Sequence, residues 1–556
     1  VPEFDGKNFV DSAGNSIEMA DTFQLKRLNL TDANPRPVVA CSLGVHVTNA
    51  ILPHVDSADT RTALTGAMYR FCRKIPNSNV HKPNFREFVD KWLEDNLKPL
   101  SPDTDTSFER WIEGTPYTKA RKLELSMKWM EMKSRGKDIE PDIARVKSFV
   151  KDEHYNTFKH ARAINSRSDQ FKCLTGPIFQ LISDQLFKLP WFIKKIPVRD
   201  RPQYIIDMCF RTGEWYLTSD YTSFEAHFDK EVMMDCEMRL YTYMTSKLAE
   251  ADDFKDLLST YFCDVDNYIT FKNFTVSVQA KRMSGEMCTS LGNGFSNLMF
   301  MLYICSQNGN TNIKGVIEGD DGLFVMNGKP PTQQQFIDFG LNIKMGRVSD
   351  LNHASFCGMV FDLDERTNIT NIIEEVVSFG WTTARYARSK KGIHMSLLRA
   401  KALSLAYQYP ACPILSALAL KICDLTNRCN IDQFITKQRT FAFNQYELAI
   451  LDEALIYFKK NGLVDEPGPK TRLLAEQLYG ISVQDQIAIE KYIKGMTTLA
   501  PINCPVFDKY LSPDWVYFSQ FFTLEVPMSL DFNQLQLNFP RVREYAPVEA
   551  LLMANH

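Results

Sequence analysis

The chain is 556 residues long, 44% hydrophobic and 12% aromatic, enough apolar material to bury a large core. Disorder, a collagen-like repeat and a small disulfide scaffold are excluded. Lys and Arg number 64 against 67 Asp and Glu, a net charge of -3, so no global positive excess advertises a nucleic-acid partner and any such site is local.

Thirteen scattered cysteines with no C-x-x-C pair support neither a disulfide framework nor a zinc ribbon, and fit a reducing cytosol. The chain opens on Val1 rather than methionine. It reads as a processed product or a piece of a longer protein, with room for a membrane anchor upstream.

The first 75 or so residues carry Gly, Pro and Asn punctuation between short apolar patches such as Val38 to Val47, and read as an extended arm packed on something else. From Phe85 to Lys137 the pattern turns helical, with Phe88, Trp92 and Leu93 at helical spacing and a second amphipathic stretch starting at Thr118. That stretch is basic: Lys119, Arg121, Lys122, Lys128, Lys133, Arg135 and Lys137 stand against Glu124 and Glu131. A second basic segment holds Lys147, Lys151, Lys159, Arg162, Arg167 and Lys172. A third, Thr383 to Lys401, holds Arg385, Arg388, Lys390, Lys391, Arg399 and Lys401 and no acid. Each alone also fits a solvated face. Together, in a chain of net negative charge, they concentrate positive potential on particular walls, as a channel for a polyanion requires.

Three further segments bear on chemistry. Trp215 to Glu225 is an aromatic and apolar strand ending in Asp220, a position for a metal ligand but, taken alone, more often one for a turn residue or helix cap. Ser284-Gly285-Glu-Met-Cys-Thr289-Ser-Leu-Gly-Asn293 leads into an apolar run, Phe295 to Cys305, too short to span a bilayer and read as a buried helix. Thr289 and Asn293 lie four apart, so hydroxyl and amide share a helix face that suits a sugar, or simply cap the helix. Gly315 to Val325 places Gly319-Asp320-Asp321-Gly322 at the tip of a tight hairpin. Asp220, Asp320 and Asp321 together supply the oxygen ligands for two Mg²⁺ ions, replaceable by Mn²⁺, in a phosphoryl-transfer site. Leu398 to Leu499 reads as mostly helical, and the residues from Ser512 onward as a tail rich in Phe, Pro and Leu.

In this order the three segments resemble motifs A, B and C of viral RNA-dependent RNA polymerases. Phe149 to Glu153 with Lys159 to Arg167 resembles motif F, Phe339 to Lys344 motif D, and Ser355 to Gly358 motif E. Phe108 to Tyr117 and Leu397 to Tyr407 are similar to polymerases of the tombusvirus-like group of positive-strand RNA viruses. The resemblance implies an α+β, right-hand fold with an antiparallel palm sheet and a mainly helical thumb. Its divisions are an arm over 1–75 linking fingers and thumb, fingers over 76–213, palm over 214–230, a fingers insertion over 231–280, palm over 281–365, thumb over 366–511 and a tail over 512–556.

It further implies Asp220, Asp320 and Asp321 as metal ligands and Lys344 as proton donor to pyrophosphate. Lys151, Lys159, Arg162 and Arg167 would neutralise the incoming triphosphate. Glu225, where many relatives carry Asp, would act with Ser284, Thr289 and Asn293 on the ribose 2′-hydroxyl. Lys119, Arg121, Lys122, Gly285, Arg385 and Arg388 would contact RNA.

The implied partners are template and product RNA, ribonucleoside triphosphates and other viral replication proteins. The implied location is host cytoplasm, at membrane-associated complexes reached through an upstream segment or partner. Two other readings stay open. A reverse transcriptase-like enzyme is disfavoured by Gly319 before the paired aspartates, and a non-catalytic RNA-binding scaffold leaves the three carboxylates unexplained. No phosphate-binding G-x-x-x-x-G-K-S/T loop is present to suggest a helicase.

Overall fold

The computed structural model describes residues 3–4, 8–10, 14, 16–29, 40–74, 82–136, 141–157, 159–211, 214–383, 386, 389–441, 445–463 and 466–522. It is 51% helical and 16% strand, with the strands gathered into antiparallel or mixed sheets rather than a repeating β-α-β pattern, which makes the fold α+β. None of the thirteen cysteines is in a disulfide. No helix among the described residues is long and apolar enough to cross a membrane.

A four-stranded antiparallel sheet lies at the centre. Its order is Lys314–Glu318, Asp321–Met326, Trp215–Tyr221, Ile343–Val348. Both faces are covered. On one, Leu217, Tyr221, Ile317, Phe324 and Met326 pack on the helix Thr289–Gln307. On the other, Tyr216, Val316, Leu323 and Val325 meet Ile205, Cys209 and Phe356. The sequence from Leu291 to Cys305 is apolar all round, apart from a few small polar residues, and every residue in it is buried, as such a helix requires. The helix Lys82–Asn96 lays Phe85, Val89, Trp92 and Leu93 against it, with Trp92 edge-on to Phe295 at 5.8 Å. Phe88 is only partly buried.

A second, five-stranded sheet runs Gln24–Leu28, Phe274–Val278, Asn267–Thr270, Arg145–Val150, Ala163–Arg167. Arg145–Val150 alternates strictly, with Val146, Ser148 and Val150 inward and Arg145, Lys147 and Phe149 outward, the period-two pattern of a sheet with one wet face. The segment read from sequence as an arm is therefore built into this sheet through Gln24–Leu28. It also enters the C-terminal unit: Ala40–Ser42 pairs antiparallel with Trp381–Thr383, and Thr48 N–H donates to Ile502 O at 3.1 Å.

The C-terminal unit is helical, from Ile372–Phe379 through Lys391–Gln408, Leu415–Leu425 and onward to Val483–Lys494. Its buried Lys401 ammonium donates to the carbonyls of Phe379 and Trp381, each at 2.7 Å. A cation thus meets the negative end of the helix Ile372–Phe379. The tail begins with a helix, Pro513–Phe522, whose Trp515 indole donates to Asn156 O at 2.9 Å. The part of the tail after it, 523–556, lies outside the described residues.

Candidate active site

Strand register assembles the acidic centre. Gly322 pairs with Ser219, so Asp321, one residue earlier, stands beside Asp220. On the opposite flank Lys344 pairs directly with Asp220. Partners across an antiparallel ladder point to the same side, so Asp321, Asp220 and Lys344 form a row on one face. Asp320 occupies the hairpin tip with Gly319, whose φ of +62° is left-handed backbone that glycine adopts without strain.

The electrostatics follow from the crowding. Burial, then the neighbouring Asp320 and Asp220 charges, push the Asp321 carboxyl up to about 7, while the Cys357 thiol bonded to it opposes the shift. Asp320 is also raised, chiefly by burial, with Glu225 and Asp220 adding to it and Arg162 opposing. Among the described residues no group of His, Cys, Asp and Glu encloses an ion by itself. An all-oxygen, half-open set of mutually repelling carboxylates nonetheless fits a hard divalent cation that completes its shell with water and substrate phosphates.

A basic loop faces this centre. Glu153 gathers Lys151 at 2.7 Å and Arg162 at 3.8 Å, and Lys159 lies over the Tyr155 ring at 5.0 Å. Arg162 is held in its charged form by Glu153, Glu225 and Asp320 against the cost of burial. Lys159 is lowered by burial and by Arg162, with Glu153 and Asp220 opposing. Lys159 and Arg162 are thus brought near the carboxylates, and Lys151 joins them through Glu153.

Arg167 is not, and its expected role in neutralising a triphosphate is corrected. Its side chain is 2% exposed, 2.5 Å from Glu286, and donates to Asn267 Oδ1 at 2.5 Å and Tyr261 O at 3.3 Å. The Phe171 and Phe262 rings cover it. A guanidinium so committed is a brace between the strand Ala163–Arg167 and the loop before the helix Thr289–Gln307.

That loop is tightly set. Asn165 N–H donates to Ser284 O at 2.7 Å. Gly285 has φ +114°, and a Cβ there would lie 2.9 Å from Asn165 O. Thr289 Oγ1 donates to Glu286 O at 2.8 Å and accepts from Gly285 N–H at 3.1 Å, so its hydroxyl is engaged in the loop. Asn293 is 8% exposed, and its Oδ1 is buried without a partner. No hydrogen bond joins Glu225, Thr289 and Asn293 to one another; Glu225 instead accepts from Arg70 Nε at 2.7 Å.

The expected RNA contacts divide. Lys119 is exposed at the start of the helix Lys119–Arg135. Arg121 is tied to Asp169 and, at 2.8 Å, to Glu124. Lys122 donates to Glu113 O at 2.8 Å. With Arg145, Lys147 and Lys172, Arg121 lines a basic cleft of about 410 Å³. Arg385 and Arg388 lie outside the described residues. Of their neighbours, Arg399 bonds Cys423 O at 2.7 Å and Lys401 is buried, so the third basic cluster does not form a single wall.

Two residues escaped the sequence reading. Asn297, fully buried on the apolar helix, donates to Gly319 O and Asp321 O, each at 3.2 Å, and clamps the hairpin tip. Its signal was an amide four residues after Asn293 in an otherwise apolar run. Arg70 gave no local signal, being 155 residues from its partner.

No curated protein matches the chain significantly. Residues 189–409 match the family model described as viral RNA-dependent RNA polymerase, a window that contains Asp220, Glu225, the Ser284 loop, the paired aspartates and Lys344. This segment is thus similar to viral RNA-dependent RNA polymerases, and the chain is an RNA-directed RNA polymerase, a nucleotidyltransferase.

Proposed function

We propose that the chain replicates and transcribes a viral RNA genome in the host cytoplasm, adding ribonucleotides to an RNA 3′-hydroxyl with release of pyrophosphate. In this reading the four-stranded sheet is the palm of a right hand, the five-stranded sheet and the helices packed beside it are the fingers, and the C-terminal helices are the thumb. The flanking segments Phe108 to Tyr117 and Leu397 to Tyr407 favour the tombusvirus-like group.

Asp220, Asp320 and Asp321 hold two divalent ions, Mg²⁺ with Mn²⁺ as substitute, which when bound supply charge neutralisation and an acidified nucleophile. Lys151, Lys159 and Arg162 receive the triphosphate, because cations preorganised in a partly desolvated site stabilise its charge strongly. Lys344, on the same face as Asp220, gives a proton to the departing pyrophosphate. Glu225 and Asn293 examine the ribose, and the Ser284–Thr289 loop sets their distance from it.

The observation that carries this reading is the row of Asp321, Asp220 and Lys344 across adjacent strands, faced by the Glu153-bound basic loop. A non-catalytic RNA-binding protein has no need of that acidic row. The test is incorporation of labelled ribonucleotides on single-stranded RNA with Mg²⁺ or Mn²⁺. Asp320→Asn is expected to abolish synthesis while RNA binding persists; RNA binding by a wild-type chain that synthesises nothing overturns it.

A further inference from the structure

Arg70 lies on the π-helical turn Met68–Cys72 that follows the helix Thr60–Ala67, well outside the segment that matches the family model. The turn reaches two parts of the centre at once. Tyr69 stacks on His160 with ring centroids 3.7 Å apart, beside Lys159 in the basic loop. Arg70 Nε donates to Glu225 Oε1 at 2.7 Å, the two side chains being 16% and 11% exposed. Three residues on, Arg73 Nη2 meets Thr222 O at 3.5 Å. An inserted residue in a helix re-aims the side chains that follow it and recurs at functional sites.

The bond occupies one oxygen of Glu225 and leaves Oε2 with no hydrogen-bond partner among the described residues. Asn293 Oδ1 is also unpartnered, and it is buried. Each of these oxygens is an acceptor open to a hydroxyl donor, and polar atoms left unpaired penalise a ligand that lacks one. Glutamate has one more rotatable bond than aspartate, so it needs an external hold to present one oxygen reproducibly.

We propose that Arg70 is a positioning residue for ribose selection: by gripping Oε1 of Glu225 it fixes Oε2 toward the 2′-hydroxyl of the incoming nucleotide. The N-terminal segment thereby becomes part of the enzyme's sugar specificity. This inference rests on the reading of Glu225 as a ribose contact, and the experiment separates the two.

The test measures kcat and KM for a ribonucleotide and its 2′-deoxy counterpart on a primed RNA template. It uses the full chain and the variants Arg70→Gln, Arg70→Lys, Glu225→Ala and Arg70→Gln/Glu225→Ala. The expected result is a fall in ribo-over-deoxy preference of roughly 10- to 100-fold for both Arg70→Gln and Glu225→Ala, the size of one charge-assisted hydrogen bond. The double variant falls no further, and Arg70→Lys recovers part of the loss.

An unchanged preference in Glu225→Ala overturns the ribose reading itself. A changed preference in Glu225→Ala with an unchanged one in Arg70→Gln overturns the role of Arg70 alone. Equal losses for both sugars in Arg70→Gln that persist without Glu225 make Arg70 a triphosphate contact and also overturn it. Thermal unfolding of each variant identifies misfolding, and Arg70→Lys, which keeps the charge, carries the test if Arg70→Gln does not fold.

Discussion

Arg282 and Glu237 form an ion pair in which both side chains are 0% exposed, with N and O 2.5 Å apart. Tyr241 Oη donates to the same Glu237 oxygen at 2.9 Å, and the guanidinium lies over the Phe228 ring at 4.6 Å. The neighbouring Gly292 admits them, since a Cβ there would come within 2.6 Å of Glu237 Oε2. The pair thus stands under the first turns of the helix that carries Asn293 and Asn297. Its geometry is part of how the sequence positions that helix.

Breaking this pair from one side leaves a charge buried and unpaired. Arg282→Met is expected to cost about 3–5 kcal/mol of unfolding free energy, read from denaturant titration. The double change Arg282→Met/Glu237→Leu is expected to recover most of it, because two apolar groups need no partner. A loss below about 1 kcal/mol for the single variant refutes the view that the pair is held away from water.

Arg167 yields a prediction that separates a brace from a substrate contact. Removing it strands Glu286, whose carboxyl burial already raises against the pull of Arg167 and Arg282. Arg167→Ala is expected to lower stability and kcat while nucleotide KM changes by less than about twofold. Arg167→Lys does not rescue it, since a lysine cannot reach Glu286, Asn267 and Tyr261 O with one planar fork. A selective rise in nucleotide KM in a stable variant restores the triphosphate role.

Which parts of this architecture were legible depended on how local their chemistry is. Gly319 with its paired aspartates specifies a hairpin tip within four residues, and the apolar run to Cys305 specifies a buried helix from composition alone. The five-stranded sheet was not legible. It joins Gln24–Leu28 to Phe274–Val278 and Arg145–Val150 to Asn267–Thr270, pairings across more than a hundred residues that no turn signal announces.

Arg162 and Arg167 looked alike in a basic run. Strand alternation separates them, because Asn165 and Arg167 fall on the inward face of Ala163–Arg167 while Arg162 precedes the strand. Period-two counting could have shown it. The Arg70–Glu225 contact had no such clue.

Two buried histidines, His54 and His227, with the more exposed His154 beside the first, set the acid limit of stability. Burial, then the charge of His154, lowers His54 to about 3. Burial, then Lys401, lowers His154 to about 4. Burial, then Arg73, lowers His227 to about 3. The His54 and His154 rings lie 5.4 Å apart. His227 accepts from Asn342 N–H through Nε2 at 2.9 Å, which a proton there would forbid. Each folded value is below that of a free histidine, about 6.5, so the unfolded chain binds more protons and stability falls as pH drops from about 6.5 toward 4. His54 and His227 each contribute up to about 1.4 kcal/mol per pH unit in that window. The unfolding midpoint is expected to be lower at pH 5.5 than at pH 7.5, with His54→Gln flattening the slope. A flat wild-type profile across the window contradicts the burial of the His54 and His227 rings.

Asn297 offers the sharpest test of how the hairpin that carries Asp320 and Asp321 is held. Its amide nitrogen donates to the carbonyls on both sides of Asp320, those of Gly319 and Asp321, so the tip is fixed from beneath by a single side chain. Asn297→Ala removes both bonds and leaves two carbonyls short of a donor, a cost of about 1–3 kcal/mol. Because a small displacement of ligands is felt in the chemical step, kcat is expected to fall at least about tenfold with little change in RNA affinity. Asn297→Asp preserves the shape but turns a carboxylate toward two carbonyl oxygens and the acidic tip, so it is expected to be worse than alanine in both stability and kcat. If the aspartate variant equals or exceeds alanine, the amide is not the donor that holds the tip.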